Sequence, residues 1–235
     1  MTLFNPRELI RLLKLGLTVA QLPLARLRFK KQINPDLINN TYSTFTKPHA
    51  RFKFISNKTL GIALVDLSQF KTSDVYLDTV KQRDYGAFHR KRAKSRGYTI
   101  KKINRNDFID EIHAINTSTA IRQGRPMDET YLIKKTDYPE QDGAVCIGAL
   151  DREGRLVAYC NYLVLGNFAS TDQLLGYKNG DGVMHYLLVE IICRLIDDGG
   201  LDYFMYDTYL GAQPGLQDFK RRIGFKPHRA RYSMH

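Results

Sequence analysis

AVCIGALDREGRLVAYCNYLVLGNFASTDQLLGY, residues 144–177, decides the fold. It holds three apolar runs, AVCIGAL (144–150), RLVAYCNYLVL (155–165) and FASTDQLLGY (168–177), separated only by DREG and GN. Runs of this length, rich in Val, Leu, Tyr and Phe and bounded by turn residues, read as strands. Connections this short leave no room for a crossover, so the three strands are antiparallel neighbours. Downstream, Asp181 stands as an N-cap for a helix running to about Asp198, with Val183, Leu187, Ile191 and Leu195 on one stripe. A strand at 202–208, a helix at 214–222 stopped by Gly224 and a last strand from Phe225 complete this half. Upstream, YTIKKI (98–103) alternates like a strand. Asn106 then caps a helix carrying Phe108, Ile109, Ile112 and Ile115, and a short helix is expected at 128–136. From Tyr98 the order is β-α-α-β-β-β-α-β-α-β. This is an α/β (α+β) pattern whose mixed, mostly antiparallel twisted sheet is flanked by helices.

The end of the chain, GLQDFKRRIGFKPHRARY (215–232), resembles the final helix and strand of GNAT and FemAB-like transferases at Gly215, Leu216, Phe219, Lys220, Gly224, Phe225 and Pro227. The element order from Tyr98 also resembles that of the GNAT acyltransferase fold. The resemblance covers 98–235 and leaves 1–97 as an N-terminal extension. It implies an acyltransferase that moves an acyl group from acetyl-CoA or a longer acyl-CoA to an amine or hydroxyl acceptor. In such enzymes a Gly-rich turn ahead of the long helix holds the donor's pyrophosphate through backbone N–H groups. The matching positions are Lys178, Asn179, Gly180, Asp181, Gly182 and Val183. The turn departs from the pattern where Gly176 or Tyr177 replaces an Arg or Gln, and where Asp181 adds a negative charge. The resemblance sets the reaction in a gap between the fourth and fifth strands of the domain. The backbone donor that polarises the thioester carbonyl is then expected at Leu174, Leu175 or Gly176.

Acyl transfer needs a base for the acceptor and a proton for the leaving group. In YDTY (206–209), Asp207 is the acid placed to act as base, its pKa raised in a closed pocket or its action relayed by water, and Tyr206 or Tyr209 is placed to protonate a thiolate. Asp172 is a second candidate and His185 a third. The segment TSTAIRQGRPM (117–127) sits where the family holds its acceptor. Arg122, Gln123 and Arg125 form a turn suited to a carboxylate or phosphate, which implies an acceptor with an anionic group. Plainer readings stand beside each: a turn cap for Asp207, a structural histidine for His185, an ordinary turn at Gly180–Gly182, and ion pairs from the two arginines to the acids of 107–111.

The whole chain has 235 residues, 43% of them hydrophobic, which suits a folded protein rather than a disordered one. Its formal net charge of +12 favours anionic partners. Cys146, Cys160 and Cys193 are widely spaced in apolar runs, which reads as reduced buried thiols in the cytoplasm and no metal site. Residues 9–25 read as an amphipathic helix started by Asn5 and Pro6, with Leu9, Leu12, Leu13, Val19 and Ala20 at helical spacing. With its basic flank of Arg26, Arg28, Lys30 and Lys31, it either packs on the domain or lies on an anionic membrane surface. Residues 32–48 read as a linker, 51–66 as a hairpin at the sheet edge, and 76–96 as one basic helix ended by Gly97. The acceptor class is a small molecule or a cell-envelope precursor. A second reading keeps the fold and takes the donor as aminoacyl-tRNA, contacted by the basic helix, and a third is a GNAT-like binding module without catalysis.

Overall fold

A computed structural model describes residues 16–50, 53, 55–122 and 125–235. Ten strands are present among them: β1 (Leu24–Phe29), β2 (Leu60–Asp66), β3 (Thr99–Lys102), β4 (Ile121–Arg122), β5 (Arg125–Pro126), β6 (Ala144–Leu150), β7 (Leu156–Val164), β8 (Phe168–Gly176), β9 (Tyr203–Thr208) and β10 (Lys226–Met234). The helices are α1 (Pro35–Thr46), α2 (Ser73–Thr79), α3 (Gly86–Ser95), α4 (Ile109–Thr117), α5 (Glu129–Leu132), α6 (Val183–Asp198) and α7 (Pro214–Ile223). Eight strands form one sheet in the order β1-β10-β2-β9-β8-β7-β6-β3, and β4 pairs with β5. Within the sheet β1–β10 and β8–β9 are parallel and the other pairs antiparallel.

The meander of 144–177 is present as β6, β7 and β8, paired in sequence order. The apolar stripe of α6 is buried as its spacing requires: Val183, Leu187, Ile191 and Leu195 all pack in the main core with Phe204, Ile223 and Phe225. A second core lies on the opposite face beneath α1 and joins Leu27, Phe29, Ile38, Phe45 and Phe168. A third, around Ile112, Ile115, Tyr159 and Leu175, lies under α4. Among the described residues no helix is long and apolar enough to cross a membrane.

Several sequence readings change. Residues 32–48 are not a linker but mostly α1, whose start is capped by Asn34 accepting from Leu37 N at 3.1 Å. Ile38, Tyr42 and Phe45 already recur at helical spacing, and that sparse stripe is enough once β1 provides a surface to bury it. The helix expected over 9–25 lies partly outside the described residues; the described part ends at Gln21, and Leu24 starts a strand. Its basic flank is the exposed face of that strand, since Ala25, Leu27 and Phe29 are buried while Arg26 and Arg28 point out. β2 is no edge strand: Gly61–Val65 are buried on both faces, which demands neighbours on both sides, here β10 and β9. The first strand of the expected hairpin falls largely outside the described residues. Strands β1 and β2 come from the first 97 residues, so the sheet spans the division placed there.

The basic helix of 76–96 is two helices, α2 and α3, broken at 80–85 where Asp84 takes φ 64°. The break lets both halves pack on α6: Tyr76 is fully buried, and a Cβ at Gly86 would lie 2.8 Å from Val189. The caps move as well. Asn104, not Asn106, caps the turn leading into α4, and Asn106 instead bonds the backbone of Tyr138. Gly182, not Asp181, is the N-cap of α6.

Phe29 is fully buried and its ring meets those of Tyr42, Phe45, Phe168 and Tyr232. Phe29→Ala is expected to cost about 3–5 kcal/mol. Urea denaturation reads this directly; a loss under about 1 kcal/mol would mean that β1 is not part of the core.

Candidate active site

Strands β8 and β9 run parallel but pair only at Phe168↔Tyr203, Ala169↔Phe204 and Ser170↔Met205. Beyond those residues they diverge, and each carries an extra residue at the start of the divergence. On β8 the register against β7 steps from Tyr162↔Thr171 to Asn161↔Gln173, which leaves Asp172 as the bulged residue. On β9 the register against β2 steps from Leu64↔Met205 to Ile62↔Thr208, and Asp207 takes the left-handed φ of 50°. Bulges add local twist and re-aim side chains, so both carboxylates are set at the opening. Past the bulge, Arg122 donates from its Nη2 to the Leu174 carbonyl. In an antiparallel strand the N–H and C=O of a residue share one edge. The Leu174 N–H therefore faces the open edge too, at the first of the three positions expected for a backbone donor.

The opening is lined by Lys58, Arg122, Arg125, Asp172, Tyr206 and Asp207 and encloses about 450 Å³. Five candidates read from sequence, Arg122, Arg125, Asp172, Tyr206 and Asp207, therefore share one cavity with Leu174. The arginines are direct partners across the β4–β5 ladder; Gln123 lies outside the described residues. Among the described residues neither arginine forms an ion pair with the acids of 107–111, and Asp110 is engaged by Lys134 at 2.5 Å. Asp207 is not in a closed pocket: its side chain is 54% exposed and ion-paired with Lys58. Asp172 is exposed and is held by a neutral group, Asn161 Nδ2, at 3.0 Å. Burial pushes the Tyr206 hydroxyl up to about 12, so it keeps its proton at neutral pH. Tyr209 and His185 are not among the residues lining this cavity. His185 is stacked on His89 at 4.2 Å and edge-on to Phe219, and burial followed by the neighbouring His89 pushes it down to about 3, so its ring is neutral.

Lys220 went unread as a chemical group because the sequence shows only a helix residue within a packing motif. Its side chain is fully buried on α7. It donates to the carbonyls of Tyr206 at 2.8 Å and Thr208 at 2.6 Å, beyond the last β9 residue paired with β8. Its ammonium lies 4.3 Å from the centre of the Tyr206 ring. Burial pushes it down to about 8, partly offset by Asp207. Lys58 and Asn161 were missed for the same reason: nothing in their local sequence says which carboxylate they meet.

The turn after β8 enters α6 through Gly182 at φ 83°, where a Cβ would lie 2.7 Å from His89 Nδ1. Gly180 is in open space. Asp181 is ion-paired with Arg96 and accepts from Tyr98 Oη at 2.7 Å. The first turn of α6 carries no acid. Its backbone donors and the turn therefore fit a phosphate, with the one nearby negative charge already matched. Leu175 is core beside Tyr159, and Gly176 is held against Ala158 and Met184. Among the described residues no group of His, Cys, Asp or Glu is arranged to hold a metal ion, and all three cysteines are buried and free.

No family model matches the chain, and no curated protein does. The solved structure of FemX superposes with a TM-score of 0.51 at 9% identity, over 83% of this chain and 66% of that one. The C-terminal domain of a putative lysylphosphatidylglycerol synthetase from Agrobacterium fabrum gives a TM-score of 0.47 at 16% identity, over 71% and 57%. L-PGS from Bacillus licheniformis gives 0.46 at 17%, over 72% and 59%. The chain spans under two thirds of the length of each. With its sheet order, the β8–β9 divergence and the FemX superposition taken together, the chain has a GNAT-like fold, shared with FemX.

Proposed function

We propose that the chain is a transferase that moves an acyl or aminoacyl group from an activated donor to an amine in the gap between β8 and β9. The observation that carries this is the divergence itself, which leaves the Leu174 edge without a partner strand beside two bulged carboxylates and a protonated tyrosine. The Leu174 N–H polarises the donor carbonyl. Asp172, held by an amide rather than a cation, receives the acceptor amine and its proton; Asp207 is already committed to Lys58. Tyr206 supplies a proton to the leaving group. Arg125, and the free donors of Arg122, hold an anionic group on the acceptor, a small molecule or an envelope precursor. The preferred donor is acyl-CoA, because Arg96 and Tyr98 withdraw Asp181 from the turn that would hold its phosphates. The resemblance to FemAB-like transferases keeps aminoacyl-tRNA as the second donor, with the basic end of α3, Arg92 and Lys94, as the RNA contact.

Gly182 is unsuited to testing the turn, because a side chain there strikes His89 and needs a strained backbone. Gly180→Trp has room and would lie over the turn. Calorimetric titration with acetyl-CoA and a long-chain acyl-CoA is expected to show at least a tenfold loss of affinity at an unchanged melting temperature. Unchanged affinity rejects this donor site. If the wild type binds neither but transfers from charged tRNA in a ribonuclease-sensitive reaction, the second donor is correct.

Arg125→Ala removes a charge-assisted contact worth on the order of 1.5–3 kcal/mol. The acceptor KM should rise by the matching factor, roughly 10- to 150-fold, with kcat and donor KM unchanged. A rise in donor KM instead would put the arginines on the donor.

Lys220 adds a stability signature. Its folded value of about 8 lies below the ordinary 10.5, so between the two the unfolded chain binds more protons and stability rises with pH. Urea midpoints of the wild type should therefore climb from pH 8 to 10 relative to Lys220→Met. Parallel curves would show that the amine is not held in its neutral-favouring site.

A further inference from the structure

The parallel pairing of β1 with β10 sets their residues side by side: Leu24 beside Arg229, Arg26 beside Arg231 and Arg28 beside Ser233. The alternate partners, Ala25 with Ala230 and Leu27 with Tyr232, are turned into the core under α1. The other face of this edge therefore carries four arginines on two adjacent strands. Arg28 reaches Asp202 at 3.4 Å, and the Arg229 Nε donates to the Leu22 carbonyl. Arg26 and Arg231 are exposed and, among the described residues, meet no carboxylate. Like charges directly opposite on neighbouring strands oppose folding. Arg26 and Arg231 are such a pair, on a strand whose buried residues do not need them. Two unmatched guanidinium groups side by side at the rim of a sheet are complementary to a surface of phosphates.

Two apolar groups share this end of the molecule. Leu24 is 47% exposed on the same face as the arginines, and Leu17 in the preceding helical turn is 66% exposed. The sequence just before is Leu-rich and basic, LIRLLKLG at 9–16. Exposed leucines beside unmatched cations are the composition of a surface that lies on a bilayer, with side chains in the interface and charges at the headgroups. An RNA-binding face would offer aromatic platforms for bases, and the six residues of β1 and β10 facing outward here include none.

We infer that the outward face of the β1–β10 edge docks the protein on an anionic membrane surface. This goes beyond the proposed transferase reading and does not depend on it, because the edge lies three strands from the β8–β9 gap. Sedimentation of the full chain with phosphatidylcholine vesicles, with and without phosphatidylserine, tests it. Binding is expected only with phosphatidylserine and should weaken as salt is raised. Each basic residue at a bilayer is worth about a fivefold change in partition coefficient, so Arg26→Ala/Arg231→Ala should lower binding roughly 25-fold. Lys101→Ala/Lys102→Ala removes the same charge from the opposite sheet edge and should change binding little. Circular dichroism of both variants checks that the fold survives. An equal loss in the two variants would mean that net charge alone drives binding and would overturn the inference. So would a wild type that ignores the anionic vesicles, or an arginine variant that keeps vesicle binding but loses retention of tRNA.

Discussion

Two one-residue bulges organise this molecule. Asp172 on β8 and Asp207 on β9 each stand where register is lost against the outer neighbour, and the parallel ladder between the two strands ends just before them. Ladder hydrogen bonds that would have joined β8 to β9 are left for other groups. Arg122 takes the Leu174 carbonyl, and Lys220 takes those of Tyr206 and Thr208. Burying a lysine is tolerable only because those carbonyls would otherwise lack donors. The opening thus accounts at once for the β4–β5 hairpin leaning into the sheet, for the lysine on α7 and for the cavity between them.

The charges follow the same economy of pairing. A net charge of +12 says only that anions are attracted. In the folded chain the cations divide into distinct tasks. Arg96 neutralises Asp181 beside the turn into α6, Lys58 holds Asp207 at the opening, and Arg90 joins Glu190 at 2.6 Å across α3 and α6. Among the described residues Arg122 and Arg125 on the β4–β5 hairpin and Arg26 and Arg231 on the β1–β10 edge form no ion pair.

The sequence was most legible where local pattern and tertiary need agree. The 144–177 meander, the α6 stripe of Val183, Leu187, Ile191 and Leu195, and the Gly224 stop, at φ 98°, were all readable because short turns, 3.6-residue spacing and a left-handed glycine act over a few residues. Tyr206 and Asp207 were readable as candidates at a strand end, Arg122 and Arg125 in a turn between helices, and Asp172 as an acid inside a strand. It was least legible in the first 97 residues. α1 looked like a linker because its burial depends on Phe29 being in a strand and on Tyr232, which lies far away in sequence. β2 looked like an edge because nothing local reveals that β10 returns to cover it.

The sequence by itself therefore determined the periodicities, the turns and the set of residues able to do chemistry, since these depend on neighbours within a helix turn or a strand pair. Only the tertiary structure decided which of them meet. Asp181 became a paired charge because Arg96, at the end of α3, reaches it; His185 became a neutral ring because His89 and Phe219 close around it. Lys220 became a buried amine because β8 leaves β9 uncovered. Each outcome depends on desolvation and on a partner distant along the chain, two quantities that no local pattern encodes.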